Sequence, residues 1–495
     1  MSSLISLTFS CSVCSYEIRG EYEAEDFDYP VFCPKCGRQN QLPARTAMPT
    51  VQTTVVEPPA QQPQVVHKDV LVETSSNAVV AVAPSLAQAG QLDKPSTVEP
   101  SPNQATSSAP PQPSKPSMGA PSLNRIAWRF RPVAGTKQIV PLRNCVAIDG
   151  LNRIIAALGT EVYALVPGAT GCEVAWRFAT ADHIPGSPVI GPSGSIYVHS
   201  GDGLLHALNA DGLSARSPTK VGPALGWATP LVDDADRVWI SPATGGLVRV
   251  DESGQTTARP FWRHPSRLDC TGAILGHVLY IGAEDQYVHA VDLNAQRGRD
   301  LWNQQQKVGL TGWYINSAIA VDGDSRIIAA SRDDTLYALE LDGSVVWSRP
   351  LNGRAIGSPV ITDAGTIIIG LTTQGRNSES LAGRLIGVHC NSGQLAWSVE
   401  VDAPIESTPL IGDAGEVYFG DNAGRIHAVT IQGRRLWSEQ VGSAVRSAGT
   451  ILPIGQIVFG TDEGSLVSLR CTSQSIAGGW PKLLGSSSNR CPMLE

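Results

Sequence analysis

A β-propeller is the fold predicted for most of this chain, and three observations predict it. From about Leu123 onward one pattern recurs roughly every 40–50 residues, about eight times, which is the spacing of a blade-forming repeat. Each copy consists of short β-rich runs separated by Gly, Asp and Asn turns, the mark of an all-β array. Nearly every copy closes on a tryptophan: Trp176, Trp262, Trp302, Trp347, Trp397, Trp437 and Trp480. The second copy lacks it and carries Ser217-Pro218-Thr219 in that stretch.

The first strand of a copy begins with Ser or Thr and then Pro, as in Ser187-Pro188, Thr229-Pro230, Ser358-Pro359 and Thr408-Pro409. Asn144-Cys145-Val146-Ala147, Thr271-Gly272-Ala273-Ile274 and Ala448-Gly449-Thr450-Ile451 read as looser copies. Proline at a strand start has no ladder bond to lose when its nitrogen faces a channel. Second strands follow, such as Ile196-Tyr197-Val198 and Val417-Tyr418-Phe419. The runs after them, Gly201-Asp202-Gly203 and Asp421-Asn422-Ala423-Gly424, read as hairpin turns. No carboxylates alternate there at the spacing that a Ca²⁺ loop requires.

The third strand is the most regular, as in Val162-Tyr163-Ala164-Leu165, Leu205-His206-Ala207-Leu208, Val288-His289-Ala290-Val291 and Ile426-His427-Ala428-Val429. Its third place is small, which suits close packing between blades. Its second place is often Tyr or His. Because they recur with the repeat, His206, His289 and His427 are read as structural. The terminal indoles supply large apolar area that locks adjacent blades.

Ala290-Val291-Asp292, then Gly298 and Trp302, resembles the tryptophan-docking motif of PQQ-type (pyrroloquinoline-quinone-like) propeller repeats. Gly387 to Gly393 with Trp397, and Ala428 with Trp437, resemble it too. The resemblance covers residues 123–495 and implies an eight-bladed propeller of four-stranded antiparallel blades around a channel. That family includes quinoprotein dehydrogenases and the propeller lipoprotein of the outer-membrane assembly machine. Ala127-Trp128-Arg129-Phe130 repeats Ala175-Trp176-Arg177-Phe178, a fourth strand, yet no unit precedes it. It is expected to complete the last blade. Trp128 then joins the structural indoles, and the ring closes without exposed edges.

Residues 1–42 predict a small zinc ribbon. Cys11 and Cys14, then Cys33 and Cys36, form two Cys-x2-Cys pairs. Four thiolates at this spacing reach one tetrahedral metal, and structural Zn²⁺ is the expected cofactor. Iron fits the same ligands, and a pair of disulfides is the competing reading. The segment holds Glu17, Glu21, Glu23, Glu25, Asp26 and Asp28 against Arg19, Lys35 and Arg38. Nucleic acid, which needs a basic footprint, is therefore not the expected partner. Residues 43–122 contain no Phe, Tyr or Trp. They cannot bury enough apolar surface to offset ordering entropy and are expected to be a disordered linker. The most apolar run there, Ala78 to Ala83, is too short to cross a bilayer.

No export signal is read at the N-terminus. Leu4-Ile5-Ser6-Leu7 is short, lacks a basic flank and runs straight into Cys11, and Phe9-Ser10-Cys11 is not a lipobox. Cys145, Cys172, Cys270, Cys390, Cys471 and Cys491 are scattered. A reducing, cytoplasmic compartment is expected on these grounds. The formal net charge of −8 favours solubility over anionic partners.

The leading functional expectation is a non-enzymatic platform, with the ribbon docking one protein partner of unknown identity and the propeller another. A PQQ-dependent dehydrogenase ranks lower. Many of the family's alcohol enzymes stack the quinone on an adjacent Cys-Cys disulfide and hold Ca²⁺ through a Glu/Asn/Asp set, and neither maps onto this chain. An outer-membrane-assembly-type factor ranks lower for want of an export signal. Binding is expected at the channel mouth, two places before each Ser/Thr-Pro pair. That rule gives Leu142, Pro185, Trp227, Asp269, Ile356, Glu406 and Arg446, with Tyr314 or Ile315 in the fifth unit and Trp313 beside it. Glu406 and Arg446 are expected to face each other across one blade gap.

Overall fold

The structure is a computed structural model that describes residues 125–132, 142–224, 229–256, 260–268, 270–302, 315, 317–375, 380–486 and 489. Before them it describes the backbone of five short strands. Ile5–Ser10 pairs antiparallel with Glu17–Tyr22, and Val31–Phe32 with Gln39–Asn40. Val72–Glu73 pairs with Phe130 and Arg129. Cys11, Cys14, Cys33 and Cys36 lie outside the described residues, as does most of 43–122.

Eight antiparallel blades follow in chain order and close into a propeller. Blade one runs outward from Ala147–Ile148 through Ile154–Leu158 and Glu161–Pro167 to Cys172–Ala179. Blade four runs Ala273–Leu275, Val278–Gly282, Val288–Asp292 and Arg299–Asp300. Blade three is the reduced one. Its outer strand shrinks to a single bridge between Leu247 and Trp262. In blade two the outer strand is only Thr219–Lys220, where the sequence lacks its tryptophan.

Burial explains the composition of the strands. Ile154–Leu158 and Gln456–Gly460 are second strands, sandwiched between neighbouring blades, and every residue in them is buried. Outer strands such as Val345–Pro350 and Arg435–Gln440 alternate exposed and half-buried residues. This is the one-sided pattern of a strand that faces water.

The indoles lock blade to blade through one repeated contact. Trp176 Nε1 donates to Ala210 O at 2.8 Å, Trp302 Nε1 to Leu341 O at 2.9 Å and Trp347 Nε1 to Cys390 O at 2.6 Å, each acceptor in the next blade. Under the ring lies a glycine turn. A Cβ on Gly212 would stand 2.4 Å from Trp176, and Gly393 and Gly433 meet Trp347 and Trp397 in the same way. All three glycines have positive φ, so the position excludes side chains by both conformation and space.

The ring closes as the sequence predicts. Ile126–Phe130 is the outer strand of blade eight and pairs with Leu466–Arg470. Trp128 is buried, and its Nε1 donates to Gln456 Oε1 at 2.8 Å, while Gln456 Nε2 donates onward to Gly168 O of blade one at 3.0 Å.

Trp480 corrects one expectation, because it ends no blade. Its backbone pairs with Ile361 of blade six through two hydrogen bonds of 2.8 and 3.0 Å. The described residues around it, 473–486 and Asn489, reach the innermost strands of several blades. Ile476 bridges to Gly412 of blade seven. Lys482 is buried and donates to Thr450 Oγ1 of blade eight at 2.9 Å and to Asn489 Oδ1 at 2.7 Å. Asn489 Nδ2 donates to Pro188 O of blade two at 2.8 Å. Gly479-Trp480-Pro481 imitates a blade-ending indole in sequence, but the last blade already takes its outer strand from Ile126–Phe130, so this tail is free to lie across the ring.

Candidate functional site

The Ser/Thr before each proline has a role beyond starting a strand. Ser187 Oγ accepts the backbone N–H of Cys145 at 3.0 Å, Thr229 Oγ1 that of Ser187 at 3.1 Å and Thr271 Oγ1 that of Thr229 at 3.2 Å, each 42 residues apart. Ser358 Oγ and Thr408 Oγ1 accept from Ala318 and Ser358 in the same way, at 2.8 and 2.9 Å. The hydroxyls thus form a belt, each satisfying a buried N–H of the preceding blade that no strand ladder reaches. Residues just before them staple within a blade. Ser407 Oγ accepts the N–H of Gly420 and donates to its carbonyl, both at 2.9 Å.

The belt also fixes the register. Cys145, not Asn144, is the equivalent of Ser187, so the mouth residue of blade one is Arg143 and not Leu142. Leu142 is buried, with its side chain against Gly460. Blade one has no Ser-Pro to mark the place, and its cysteine stands one residue later than the Asn144 expected there. The same belt aligns Ala318 with Ser358, so buried Ile315 is not the mouth residue of blade five either.

Arg143, Pro185, Ile356, Glu406 and Arg446 line one cavity together with the belt, and Leu483 of the C-terminal tail lines it too. Arg446 Nε is 3.3 Å from Glu406 Oε2 and its Nη1 is 2.7 Å from Asp462 Oδ2. Asn422 links the group, donating to Glu406 Oε1 at 2.7 Å and accepting from Arg446 Nε at 2.9 Å. Arg143 stands 4.0 Å from Glu406. Two arginines and two carboxylates thus balance. Burial pushes the Asp462 carboxyl up against the pull of Arg446 and Arg143. Trp227, Asp269, Trp313 and Tyr314, the other expected mouth residues, lie outside the described residues.

The histidines of the third strand do not share one environment. Neither ring nitrogen of His206 has a partner. His427 Nε2 lies 2.9 Å from Asp421 Oδ2 and its ring stacks on Phe419. His289 lies between two carboxylates, with Nδ1 2.5 Å from Asp300 Oδ2 and Nε2 3.1 Å from Asp285 Oδ2. The repeat alone gives no signal that separates the three.

Known proteins resemble this ring. A PQQ-type family model described as outer membrane protein assembly factor BamB matches residues 284–458. The chain is 25% identical to the outer membrane protein assembly factor BamB of Yersinia pestis, over 58% of this chain and 70% of that one. It is 27% identical to the factor of the same name from Moranella endobia, over 58% of this chain and 61% of that one. Among solved structures, the computationally designed Ika8 protein superposes with a TM-score of 0.53 at 16% identity, covering 68% of this chain and 98% of that one. The quinohemoprotein alcohol dehydrogenase of Comamonas testosteroni superposes with a TM-score of 0.55 at 13% identity, covering 71% and 77%. At these identities the two structures support the fold alone.

The relatives' names overturn the cytoplasmic expectation, since both are factors of outer-membrane protein assembly. The cysteine argument behind it has a physical flaw. Cys145, Cys172 and Cys390 are buried and form no disulfide, and burial pushes the Cys172 and Cys390 thiols up to about 12. Thiols held protonated and away from solvent are inert in either redox environment, so their number reports packing and not compartment. No helix among the described residues is long and apolar enough to cross a membrane. With repeat, docked indoles and ring closure in agreement, the chain carries a β-propeller whose repeats resemble the PQQ-type family and match its model over residues 284–458.

Proposed function

We propose that the chain is a non-enzymatic, protein-binding propeller of the outer-membrane-protein-assembly type, which engages polypeptide at its channel mouth. The observation that carries this reading is the pair of relatives named for that process over 58% of the chain. The mouth supports it. Its belt of hydroxyls is spent on blade-to-blade hydrogen bonds, and its rim offers charges of both signs. Such a rim suits a polar, extended partner.

A quinone with Ca²⁺ does not fit this mouth. A Glu/Asn/Asp set does converge there, as Glu406, Asn422 and Asp462, but the guanidinium of Arg446 sits among them where a cation would bind. No adjacent cysteine pair occurs in the chain.

The N-terminal segment is read as a zinc ribbon that docks a second partner. Its paired strands end at Ser10 with Glu17 and at Phe32 with Gln39. Each hairpin therefore brackets one Cys-x2-Cys pair at the same offset, Cys11 with Cys14 and Cys33 with Cys36.

The test is site-specific photo-crosslinking from Ile356 in the full chain, expressed in a Gram-negative host. Adducts with outer-membrane proteins or their assembly components are expected, and they are lost when Arg446 and Glu406 are both reversed in charge. Adducts confined to cytosolic proteins, or dye-linked alcohol oxidation after adding PQQ and Ca²⁺, would overturn the reading.

A further inference from the structure

We propose that His264, Asp285 and His289 form a divalent transition-metal site of the Zn²⁺ class, built across the gap between blades three and four. The ligand atoms of all three lie within 4.8 Å of one another. Both imidazoles converge on one carboxylate. His264 Nε2 is 3.2 Å and His289 Nε2 3.1 Å from Asp285 Oδ2. A tetrahedral Zn²⁺ with bonds of about 2.0–2.1 Å holds its ligand atoms about 3.3 Å apart, so small side-chain adjustments admit the ion.

The surroundings are those of a prepared ligand set. His289 Nδ1 lies 2.5 Å from Asp300 Oδ2, and Asp300 Oδ1 accepts the Trp302 N–H at 3.0 Å. A carboxylate on Nδ1 fixes the tautomer that presents Nε2 to a metal and orients the ring. His264 Nδ1 is 3.2 Å from the Ser266 carbonyl, which can accept its proton in the tautomer that presents Nε2, and 3.2 Å from the Ser266 N–H, which donates to it in the other. The two rings stand 4.5 Å apart, and the Trp262 indole packs on both. Two neutral imidazoles, two carboxylates and a dication sum to zero, which suits a site this enclosed. Asp285 keeps part of its side chain exposed, 23%, and gives the ion a way in. Three protein ligands leave a fourth position open.

The repeat shows what is special here. The residue two after the docking indole packs on the second place of the next blade's third strand. Phe130 meets Tyr163 and Phe178 meets His206, both edge-on at 5.4 Å. In the third gap that residue is His264. An imidazole thus stands where two other gaps have Phe130 and Phe178 and later ones have Arg349, Val399 and Glu439, and here it lies opposite a histidine that already has two carboxylates.

The test uses the full chain with Cys11→Ser and Cys14→Ser, which silences the N-terminal cysteines, stripped by chelator and titrated with Zn²⁺ and with Co²⁺. About one Zn²⁺ per chain is expected, raising the temperature of the propeller transition. Co²⁺ should give visible bands without thiolate charge transfer. His264→Gln and Asp285→Asn, each checked for a cooperative melt, should each weaken binding at least about tenfold. No Zn²⁺ uptake by the parent, or equal uptake by parent and both variants, overturns the site and leaves an ion-paired histidine only.

Discussion

Blades two and four carry histidine at the same strand position in opposite electrostatic surroundings. His206 and His289 are both buried. Burial pushes His206 down, with only distant help from Asp202. Burial pulls His289 the same way, but the hydrogen bonds of Asp285 and Asp300 outweigh it and push it up to about 9. An aspartate stands four residues before each histidine. Asp202 caps the Leu204 N–H, whereas Asp285 also reaches the imidazole. The repeat thus fixes the place of the side chain, which is Tyr or His in five blades and Val or Ile in three, and residues from the neighbouring strand and blade decide the charge of a histidine there.

The largest effect that tests this contrast is His289→Phe. It leaves Asp285 and Asp300 partly buried without their cation and should cost about 3–5 kcal/mol at pH 7 with chelator present. The pH arms carry the sign. His289 is raised in the folded state, so its contribution is complete below about pH 6.5 and is lost as pH climbs through about 9. His206 is lowered, so its contribution is complete above about pH 6.5 and is lost as pH falls below it. Urea melts across pH 5–9 should show His289→Phe losing the alkaline decline and His206→Phe losing the acid one. If both variants keep the parent's profile, the contrast is broken.

Trp128→Phe comes next. It removes the indole donor from Gln456 and should cost about 1–3 kcal/mol at the seam between blades eight and one. A calorimetric loss below about 0.5 kcal/mol would show that strand pairing alone closes the ring. His206→Phe follows, because it replaces two unpartnered nitrogens with carbon beside Phe178 and should stabilise by about 1 kcal/mol in denaturant melts. The smallest effect belongs to Glu406→Gln. The side chains of this rim pair are 17% and 25% exposed, and the change should move stability by only about 0–1 kcal/mol. A larger thermal loss would mean that the mouth cluster holds the ring together rather than facing a partner.

The regular parts of this fold could be read from sequence because period and packing coincide. A small residue in the third strand, a glycine turn and an indole about ten residues on are enough to place Trp397 over Gly433 and Ile126–Phe130 on blade eight. The pairing of Glu406 with Arg446 follows from the same register. What could not be read are features in which unlike residues fill like places. Cys145 takes the serine place, which hid Arg143 from the mouth. His264 takes a phenylalanine place, which hid the cluster on Asp285. Trp480 copies a blade ending but serves the tail. The Ser/Thr before proline was visible in every strong copy, yet its acceptor role needs the neighbouring blade, which a linear pattern does not show.

The tail has a consequence for biosynthesis. Ile126–Phe130 waits for Leu466–Arg470, and blades one and two wait for Asn489. At about 5–20 residues per second, roughly 20–70 s separate the appearance of the first strand from that of its partners. Throughout that time the ribosome holds an open arc with two unpaired edges, so a chaperone that shields strand edges has its window before chain release, and a truncation of the last twenty or so residues leaves Leu466–Arg470 to close blade eight but removes the tail that ties blades two, six and eight together.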